Sequence, residues 1–232
     1  MSGRGEGSSG PPASALLPEA VRKVLPADTA RTWQTLAPHL PEGLYLGGGS
    51  AIAVHLAHRK SRDLDFFFHD NSVDLVQLET TLQDLGLFAG GLVDEGTLRG
   101  LFSQTKIEAF NASELKRLRK PTVVAGLRVA ALEDLLAMKI KVMAERGEMR
   151  DYFDVMTIDE KSSLSVEEGI ELYLERYKIK DPEPGRLRAL YLAMGFPDDV
   201  ETDEALPIAL KDLAAWWRKR QAAVVRNSSW FS

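Results

Sequence analysis

The sequence predicts an α/β fold, in which a domain built on a mixed sheet is followed by a helical C-terminal domain. Short β-prone runs alternate with helical patterns up to about residue 130, and only helical periodicity follows. The strongest local signal is Gly47-Gly48-Gly49-Ser50, between a short apolar run and a helical one. We therefore divide the chain into a Gly-, Ser- and Pro-rich tail at 1–14, expected to be disordered, an α/β domain at 15–130 and a helical domain at 131–232.

The individual elements follow from local patterns and breakers. Helices are predicted at 18–25, 28–36, 50–58 and 73–85, and strands at 44–46, 63–68, 87–94, 97–102, 105–110, 122–124 and 127–129. Glu95-Gly96 and Gly126 supply the turns of two hairpins. From 131 to about 226 the pattern is helical, with breaks at 181–184 and 195–197 where prolines occur.

Composition narrows the classes of protein. The 232 residues contain no run of eighteen apolar residues and no signal-peptide pattern, so we expect a cytoplasmic protein without a membrane partner. Cysteine is absent, which excludes a thiolate nucleophile, a zinc ribbon and disulfides. The net charge of −5 argues against indiscriminate binding of nucleic acid. Residues 115–150, however, hold nine Lys or Arg against four acids, and such a surface either binds an RNA backbone or forms solvated helix faces.

The glycine triplet indicates a site for phosphate. Gly47, Gly48 and Gly49 let the backbone approach a ligand closely, and Ser50 is suited to cap a helix over 51–57. A strand, a glycine turn and a helix start together receive anions, because free N–H groups and the helix dipole favour negative charge there. Taken alone, the triplet is more typical of a tight structural turn than of a phosphate site.

Two carboxylates follow on the next predicted strand. Asp63 and Asp65 are two residues apart, so their side chains project from the same face. Like charges this close repel unless a cation lies between them, and hard oxygen ligands suit Mg²⁺ or Mn²⁺. Glu108, on the strand at 105–110, is a candidate third ligand, the alternative being an exposed edge-strand residue. The alternative for Asp63 and Asp65 is a solvated acidic turn.

A second signal lies in the predicted helical part. Lys139 falls on the apolar stripe of a helix, where its ammonium either reaches solvent or meets an anion. Gly147 is predicted to end this helix, and Asp151 lies near the start of the next one. His55 is interpreted as a hydrogen-bonded core histidine, and no histidine spacing predicts zinc.

At this point the sequence resembles a known family. The run Gly48-Gly49-Ser50, an apolar helix, His58-Arg59, Ser61 and Asp63-Leu64-Asp65-Phe66-Phe67 is similar to the signature of the AbiEii/AbiGii-type nucleotidyltransferase toxin family. A second block of that family resembles residues 133–140, Arg146-Gly147 and residues 151–155. The resemblance covers about residues 44–222, and both blocks occur in the family's order.

The resemblance implies a nucleotidyltransferase catalytic domain related to DNA polymerase beta, with an appended helical domain. It also implies the toxin of a bacterial toxin–antitoxin pair, a nucleoside triphosphate (NTP) as substrate, transfer RNA as acceptor and a cognate antitoxin protein as partner. The implied binding residues for the triphosphate are Gly48, Gly49, Ser50, Arg59 and Ser61; the implied catalytic residues are Asp63 and Asp65 as metal ligands, Lys139 as a neutralising charge, and Asp151 as a base or a group that orients the acceptor. The family pattern does not fix a carboxylate at Glu108.

These observations favour metal-dependent transfer of a nucleotide from an NTP to an RNA. Two alternatives stay open at this point. One is a small-molecule nucleotidyltransferase of the aminoglycoside-modifying type, against which the basic segment at 115–150 favours RNA. The other is a non-catalytic module that keeps the fold and binds an antitoxin or RNA, against which the intact Asp63 and Asp65 argue.

Overall fold

The computed structural model describes residues 17–69, 72–86, 88–180, 182–196 and 198–227. The predicted disordered tail at 1–14 lies outside these residues. The helices are α1 (Glu19–Val24), α2 (Ala27–Leu36), α3 (Gly48–Leu56), α4 (Leu75–Asp84), α5 (Leu132–Glu145), α6 (Met149–Lys161), α7 (Val166–Arg176), α8 (Pro184–Met194) and α9 (Leu210–Asn227). The strands are β1 (Tyr45–Leu46), β2 (Leu64–Phe68), β3 (Phe88–Asp94), β4 (Thr97–Phe102), β5 (Thr105–Asn111), β6 (Thr122–Val124) and β7 (Leu127–Val129).

The strands form one mixed sheet, which confirms the predicted fold class. Their order is β3-β4-β5-β2-β1-β7-β6. The pairs β2–β5 and β1–β7 are parallel, and the other neighbours are antiparallel. Both predicted hairpins, β3–β4 and β6–β7, are present, because their turn residues determine the pairing locally. The strand that carries Asp65 therefore lies in the middle of the sheet.

The two faces of β2 meet different surroundings. Leu64, Phe66 and Phe68 are buried in the hydrophobic core, whereas Asp65 and Phe67 on the opposite face are half-buried. The alternation follows from the two-residue repeat of a strand. Helices α5 to α9 follow β7, and their core residues join the same hydrophobic cluster as those of the sheet.

The start of α3 differs from the prediction. We predicted Ser50 as the residue that caps the helix, but the helix begins at Gly48 with Gly47 at its N-cap. Ser50 is fully buried in the first turn, and its hydroxyl donates to the carbonyl of Asp63 instead of capping the helix. Gly47 N–H donates to the carbonyl of Asp65 at 2.7 Å, which fixes the turn against β2. Tertiary hydrogen bonds therefore outweigh the local capping preference of serine.

The helical part has the predicted breaks and two that were not predicted: α6 and α7 are separated at 162–165, and the described residues 198–209 contain no helix. Gly147, with φ of +46°, lies between α5 and α6, and α8 begins at Pro184. Of the pair Trp216-Trp217, Trp217 is fully buried and its Nε1 donates to the carbonyl of Tyr152 at 3.2 Å. Among the described residues, no helix has both the length and the apolar character needed to cross a membrane.

Candidate active site

The glycine turn lies directly on the strand that carries the carboxylates. A Cβ atom at Gly48 would collide with Oδ2 of Asp65, and φ of Gly48 is +63°, a conformation that favours glycine. A Cβ atom at Gly49 would collide with Nη2 of Arg59. The glycines therefore allow the N-terminus of α3 to approach both an acidic and a basic side chain. Phosphate binds well at such a helix N-terminus.

Asp65 is a carboxylate withdrawn from solvent and surrounded by like charge. It pairs in register with Glu108 on the parallel strand β5, and Asp63 comes just before β2. Burial, together with the charges of Glu108 and Asp63, raises the pKa of Asp65 to about 6, although Lys106 and Lys139 act in the opposite direction. Three carboxylates at one end of two central strands form an arrangement that a cation would stabilise.

Glu108 already has cationic partners. Its carboxylate accepts from Arg99 and forms an ion pair with Lys106 at 2.8 Å. Burial would raise the pKa of Glu108, but the hydrogen bonds from Lys106 and Arg99 hold it below its usual range. The register thus brings Glu108, the predicted third ligand, next to Asp65. Arg99 and Lys106 would compete with a metal for the oxygens of Glu108.

The donor set fits a divalent cation in its chemistry. In the described part of the chain, no group of three His, Cys, Asp or Glu side chains has the spacing of a complete metal site. Asp63 and Asp65 supply hard carboxylate oxygens, and Asp65 lacks a cationic partner at hydrogen-bond distance among the contacts of the described residues. Mg²⁺ is commonly bound by one or two carboxylates together with substrate phosphates, so a complete protein cage is not required.

Ser50 and Ser61 brace the segment that precedes β2. The two hydroxyl oxygens are hydrogen-bonded at 2.8 Å, and Ser50 is buried. A Cβ atom at Gly49 would lie 3.4 Å from Oγ of Ser61, so Ser61 borders the N-terminus of α3. The position of Ser61 is compatible with its predicted phosphate contact, whereas Ser50 supports the backbone beneath it.

A buried ionic cluster lies beside the glycine turn. Asp154 on α6 accepts hydrogen bonds from Nε2 of His58 at 2.7 Å and from Nε and Nη2 of Arg59 at 2.6 and 2.8 Å. Nζ of Lys139 forms an ion pair with the same carboxylate at 2.8 Å. Burial would raise the pKa of Asp154, but Lys139, Arg59 and His58 together hold it well below its usual range.

Lys139 and Asp151 belong to this cluster as well. Nζ of Lys139 donates to Oδ1 of Asp151 at 2.7 Å, and the other oxygen of Asp151 accepts from the N–H of Glu148 at the start of α6. Burial would lower the pKa of Lys139, but Asp154 and Asp151 raise it above its usual value. The two predicted catalytic residues on α5 and α6 therefore contact each other, and Lys139 is close enough to affect the charge of Asp65.

Asp154 is the site residue that sequence reasoning missed. It was visible as a second acid three residues after Asp151, on the same face of a predicted helix. Its partners His58 and Arg59 lie 96 and 95 positions earlier in the chain, so only the fold brings them together. His55 is hydrogen-bonded as predicted, with its Nε2 2.8 Å from the carbonyl oxygen of Ala130, but it is half-buried and not a core residue.

The basic segment at 115–150 is less positive than its sequence suggests. Acids from other parts of the chain pair with several of its members: Lys116 with Glu175, Arg128 with Glu42, and Lys139 with Asp151 and Asp154. Arg119, Lys141, Arg146 and Arg150 pair with acids inside the segment. Arg117 is exposed and lies over the ring of Tyr45 instead. The surface available to a polyanion is therefore narrower than the charge count implied.

The mixed sheet, the glycine turn at a helix start, and Asp65 on the adjoining strand with Asp63 just before it are the features expected of a nucleotidyltransferase. The model of the family described as "Nucleotidyl transferase AbiEii toxin, Type IV TA system" matches residues 33–110 and 103–228. The protein belongs to this family, and the resemblance found in the sequence is confirmed. The family is that of the nucleotidyltransferase toxins of type IV toxin–antitoxin systems.

Individual relatives are distant. An uncharacterized protein from Aquifex aeolicus (strain VF5) is 26% identical over 136 residues, which cover 58% of this chain and 66% of that protein, just under two thirds of its length. The structure of MenT4, a nucleotidyltransferase toxin from Mycobacterium tuberculosis H37Rv, matches with a TM-score of 0.53 and 17% identity, over 88% of this chain and 87% of that one. This likeness supports the fold.

A solution structure of the antibiotic-resistance factor ANT(2'')-Ia is also similar, with a TM-score of 0.47 and 19% identity. The match covers 66% of this chain and 87% of that one. Similarity at this level does not bear on the choice between an RNA and a small-molecule acceptor.

Proposed function

We propose that this protein transfers a nucleotide from an NTP to an RNA, with the acceptor end of transfer RNA as the target and the cytoplasm as the place of action. The observation that carries the proposal is the direct approach of Gly48, at the N-terminus of α3, to the carboxylate of Asp65. A helix N-terminus binds anions, and a carboxylate without a cationic partner binds cations. Next to each other, the two suit a polyphosphate with its counter-cation.

Asp63 and Asp65 would hold Mg²⁺ or Mn²⁺, and Glu108 would join them once it exchanges Lys106 and Arg99 for the metal. When bound, the cation would activate the attacking hydroxyl and stabilise the departing pyrophosphate. The chain's own contribution is to position the reactants: the N–H groups of α3 receive phosphate oxygens, and Ser61 borders them.

Arg59 and Lys139 supply positive charge behind the glycine turn, where the resemblance places the triphosphate. Asp154 already holds the side chains of Arg59 and Lys139 in place, so a triphosphate would meet cationic groups that are ordered before it binds. Asp151 holds Lys139 from the other side. In this proposal Asp151 orients the acceptor or accepts its proton, which requires the Lys139–Asp151 contact to loosen when substrate arrives.

RNA is the acceptor that the remaining observations favour. Exposed Arg117 lies on the loop that follows β5, the strand of Glu108, and its guanidinium covers the ring of Tyr45. Tyr45 is buried, so the exposed guanidinium of Arg117 is the group that an RNA backbone would meet at this place. The family further implies a cognate antitoxin that neutralises the activity.

The test is incubation of the purified protein with each of the four α-labelled NTPs, Mg²⁺ or Mn²⁺ and deacylated transfer RNA, followed by gel separation. Parallel reactions contain an aminoglycoside panel instead of RNA. We expect labelled RNA with the wild-type protein and no label when Asp63→Ala and Asp65→Ala are combined. Circular dichroism and thermal melting establish that the double variant is folded.

If an aminoglycoside is labelled and RNA is not, the acceptor is a small molecule and the RNA part of this proposal is wrong. Label that survives in the folded double variant would refute the role of both aspartates. Matched removal of a surface carboxylate, Asp198→Ala, should leave transfer unchanged, since Asp198 lies outside the site and its side chain is exposed.

A further inference from the structure

A row of aromatic side chains continues from the carboxylates along the same face of the sheet. Phe67 follows Asp65 by two residues in β2, and Phe110 follows Glu108 by two in β5. The parallel register sets Asp65 opposite Glu108 and Phe67 opposite Phe110. The centroids of the two phenyl rings are 5.5 Å apart. The two acids and the two phenyl rings therefore form neighbouring cross-strand pairs on one face of the sheet.

The row extends through β1. Tyr45 pairs with Phe67 in the antiparallel β1–β2 ladder, and their ring centroids are 6.0 Å apart at an interplanar angle of 30°. The ring of His69 stacks on Tyr45 at 5.8 Å and 13°. The guanidinium carbon of Arg117 lies 4.9 Å from the centre of the Tyr45 ring. The aromatic row therefore ends at an exposed cation.

Phe67 and Phe110 are not ordinary core residues. They are half-buried although both strands are central, while Phe66 and Phe68 on the opposite face of β2 are buried. A Cβ atom at residue 47 would lie 2.5 Å from Cε2 of Phe67, so one edge of the ring packs against the backbone of the glycine turn and the aromatic row adjoins the N-terminus of α3. Partly open apolar surface next to a charged site is typical of a ligand groove.

We propose that Phe67 and Phe110 form a stacking platform for a nucleobase at the transfer site, an inference that rests on the proposed function. Aromatic side chains bind bases of any sequence, because every base has a π-face. Two residues along a strand span about 7 Å. A base on the rings would therefore leave its sugar and phosphate over Asp65 and Glu108. The base is that of the NTP or that of the last nucleotide of the acceptor.

Phe67→Leu and Phe110→Leu test the platform, because leucine keeps apolar volume and removes the ring. Phe88→Leu is the matched control, since Phe88 pairs with buried Phe102 on the opposite face of the sheet. Equilibrium dissociation constants are measured for an NTP and for inorganic tripolyphosphate. A second arm compares a short RNA that has a normal 3′ end with one whose last nucleotide is abasic.

We expect each leucine variant to weaken binding of the base-bearing ligand by about 5- to 100-fold, and Phe110→Trp to retain it. Tripolyphosphate and abasic RNA should bind all variants equally. A loss confined to the NTP assigns the platform to the substrate, and one confined to RNA assigns it to the acceptor. Unchanged affinities in both leucine variants, or equal losses for ligands without a base, would overturn the proposal.

The wild-type protein provides a test that does not depend on the variants' stability. Ultraviolet crosslinking to iodouridine triphosphate, and to RNA ending in iodouridine, is mapped by mass spectrometry. Adducts on Phe67 or Phe110 support the platform, and adducts confined to other residues overturn it. If the wild-type protein transfers nucleotide but crosslinks only at other residues, the platform is refuted and the proposed function stands. Protein that binds neither NTP nor RNA would refute the proposed function itself.

Discussion

Asp65 and Asp154 are both withdrawn from solvent, but their neighbours carry opposite charge. Asp65 lies near Glu108 and Asp63, and burial with these charges raises its pKa to about 6. Asp154 is completely buried among Lys139, Arg59 and His58, which hold its pKa well below the usual range. The ionised form of an aspartate is thus destabilised at one position and stabilised at the other.

The contrast separates a carboxylate without a cationic partner, Asp65, from one that is already fully paired, Asp154. The cluster around Asp154 is satisfied by its own ions and joins the end of α3 to α5 and α6. Asp65 is repelled by the carboxylates of Glu108 and Asp63, and a cation bound with the substrate would relieve this repulsion. Unfavourable charge of this kind is common at functional sites, and paired charge is common in structural networks.

Asp154→Ala should have the largest effect on stability. It leaves Arg59, Lys139 and His58 buried without their shared acceptor, which costs about 3–5 kcal/mol when one partner of a buried ionic network is removed. Urea unfolding monitored by circular dichroism measures the change. The control is Asp198→Ala, which removes a fully exposed partner of Arg218 and should leave the midpoint unchanged. A loss below about 1 kcal/mol would show that the cluster is not the support described here.

Gly48→Ala tests the surroundings of Asp65, because it perturbs that carboxylate and leaves the ionic cluster around Asp154 intact. The new Cβ would collide with Oδ2 of Asp65 at a backbone φ of +63°, where a left-handed conformation costs about 1–2 kcal/mol. Displacement of the carboxylate by about 1 Å should lower nucleotide transfer by about 100-fold. Gly185→Ala is the control, since no atom lies within 4 Å of its Cβ position. Equal transfer by both variants would contradict the contact between the turn and Asp65.

Local patterns in the sequence were sufficient for most of the sheet. The hairpin at Glu95-Gly96 needs only turn residues and alternation on both sides, and the same applies to the turn at Gly126. Alternation also predicted Asp63 and Asp65 on one face, but β2 begins at Leu64, so Asp63 lies just before the strand. These features depend on residues a few positions apart, and the physical rules that govern them act over that range.

The missed features depend on partners that are distant in the chain. Glu108 was predicted as a third ligand beside the aspartates, but its register directly opposite Asp65 requires β2 and β5 to pair in parallel, which no local pattern specifies. The cluster around Asp154 requires α6 to pack against the end of α3. Ser50 was misassigned for the same reason, because its hydroxyl bonds to the Asp63 carbonyl, thirteen positions away, instead of capping its own helix.

Asp65→Asn should have the smallest effect, and its sign is opposite to that of Asp154→Ala. Removal of one charge from a group of mutually repelling carboxylates should stabilise the metal-free protein by about 1 kcal/mol. Mg²⁺ or Mn²⁺ should raise the melting temperature of the wild type, because a ligand that binds only the folded state adds its binding energy to stability. The variant should lose that rise. A metal-dependent shift that persists in Asp65→Asn would place the cation elsewhere, and a metal-free variant that melts below the wild type would show that Asp65, like Asp154, is a supporting residue.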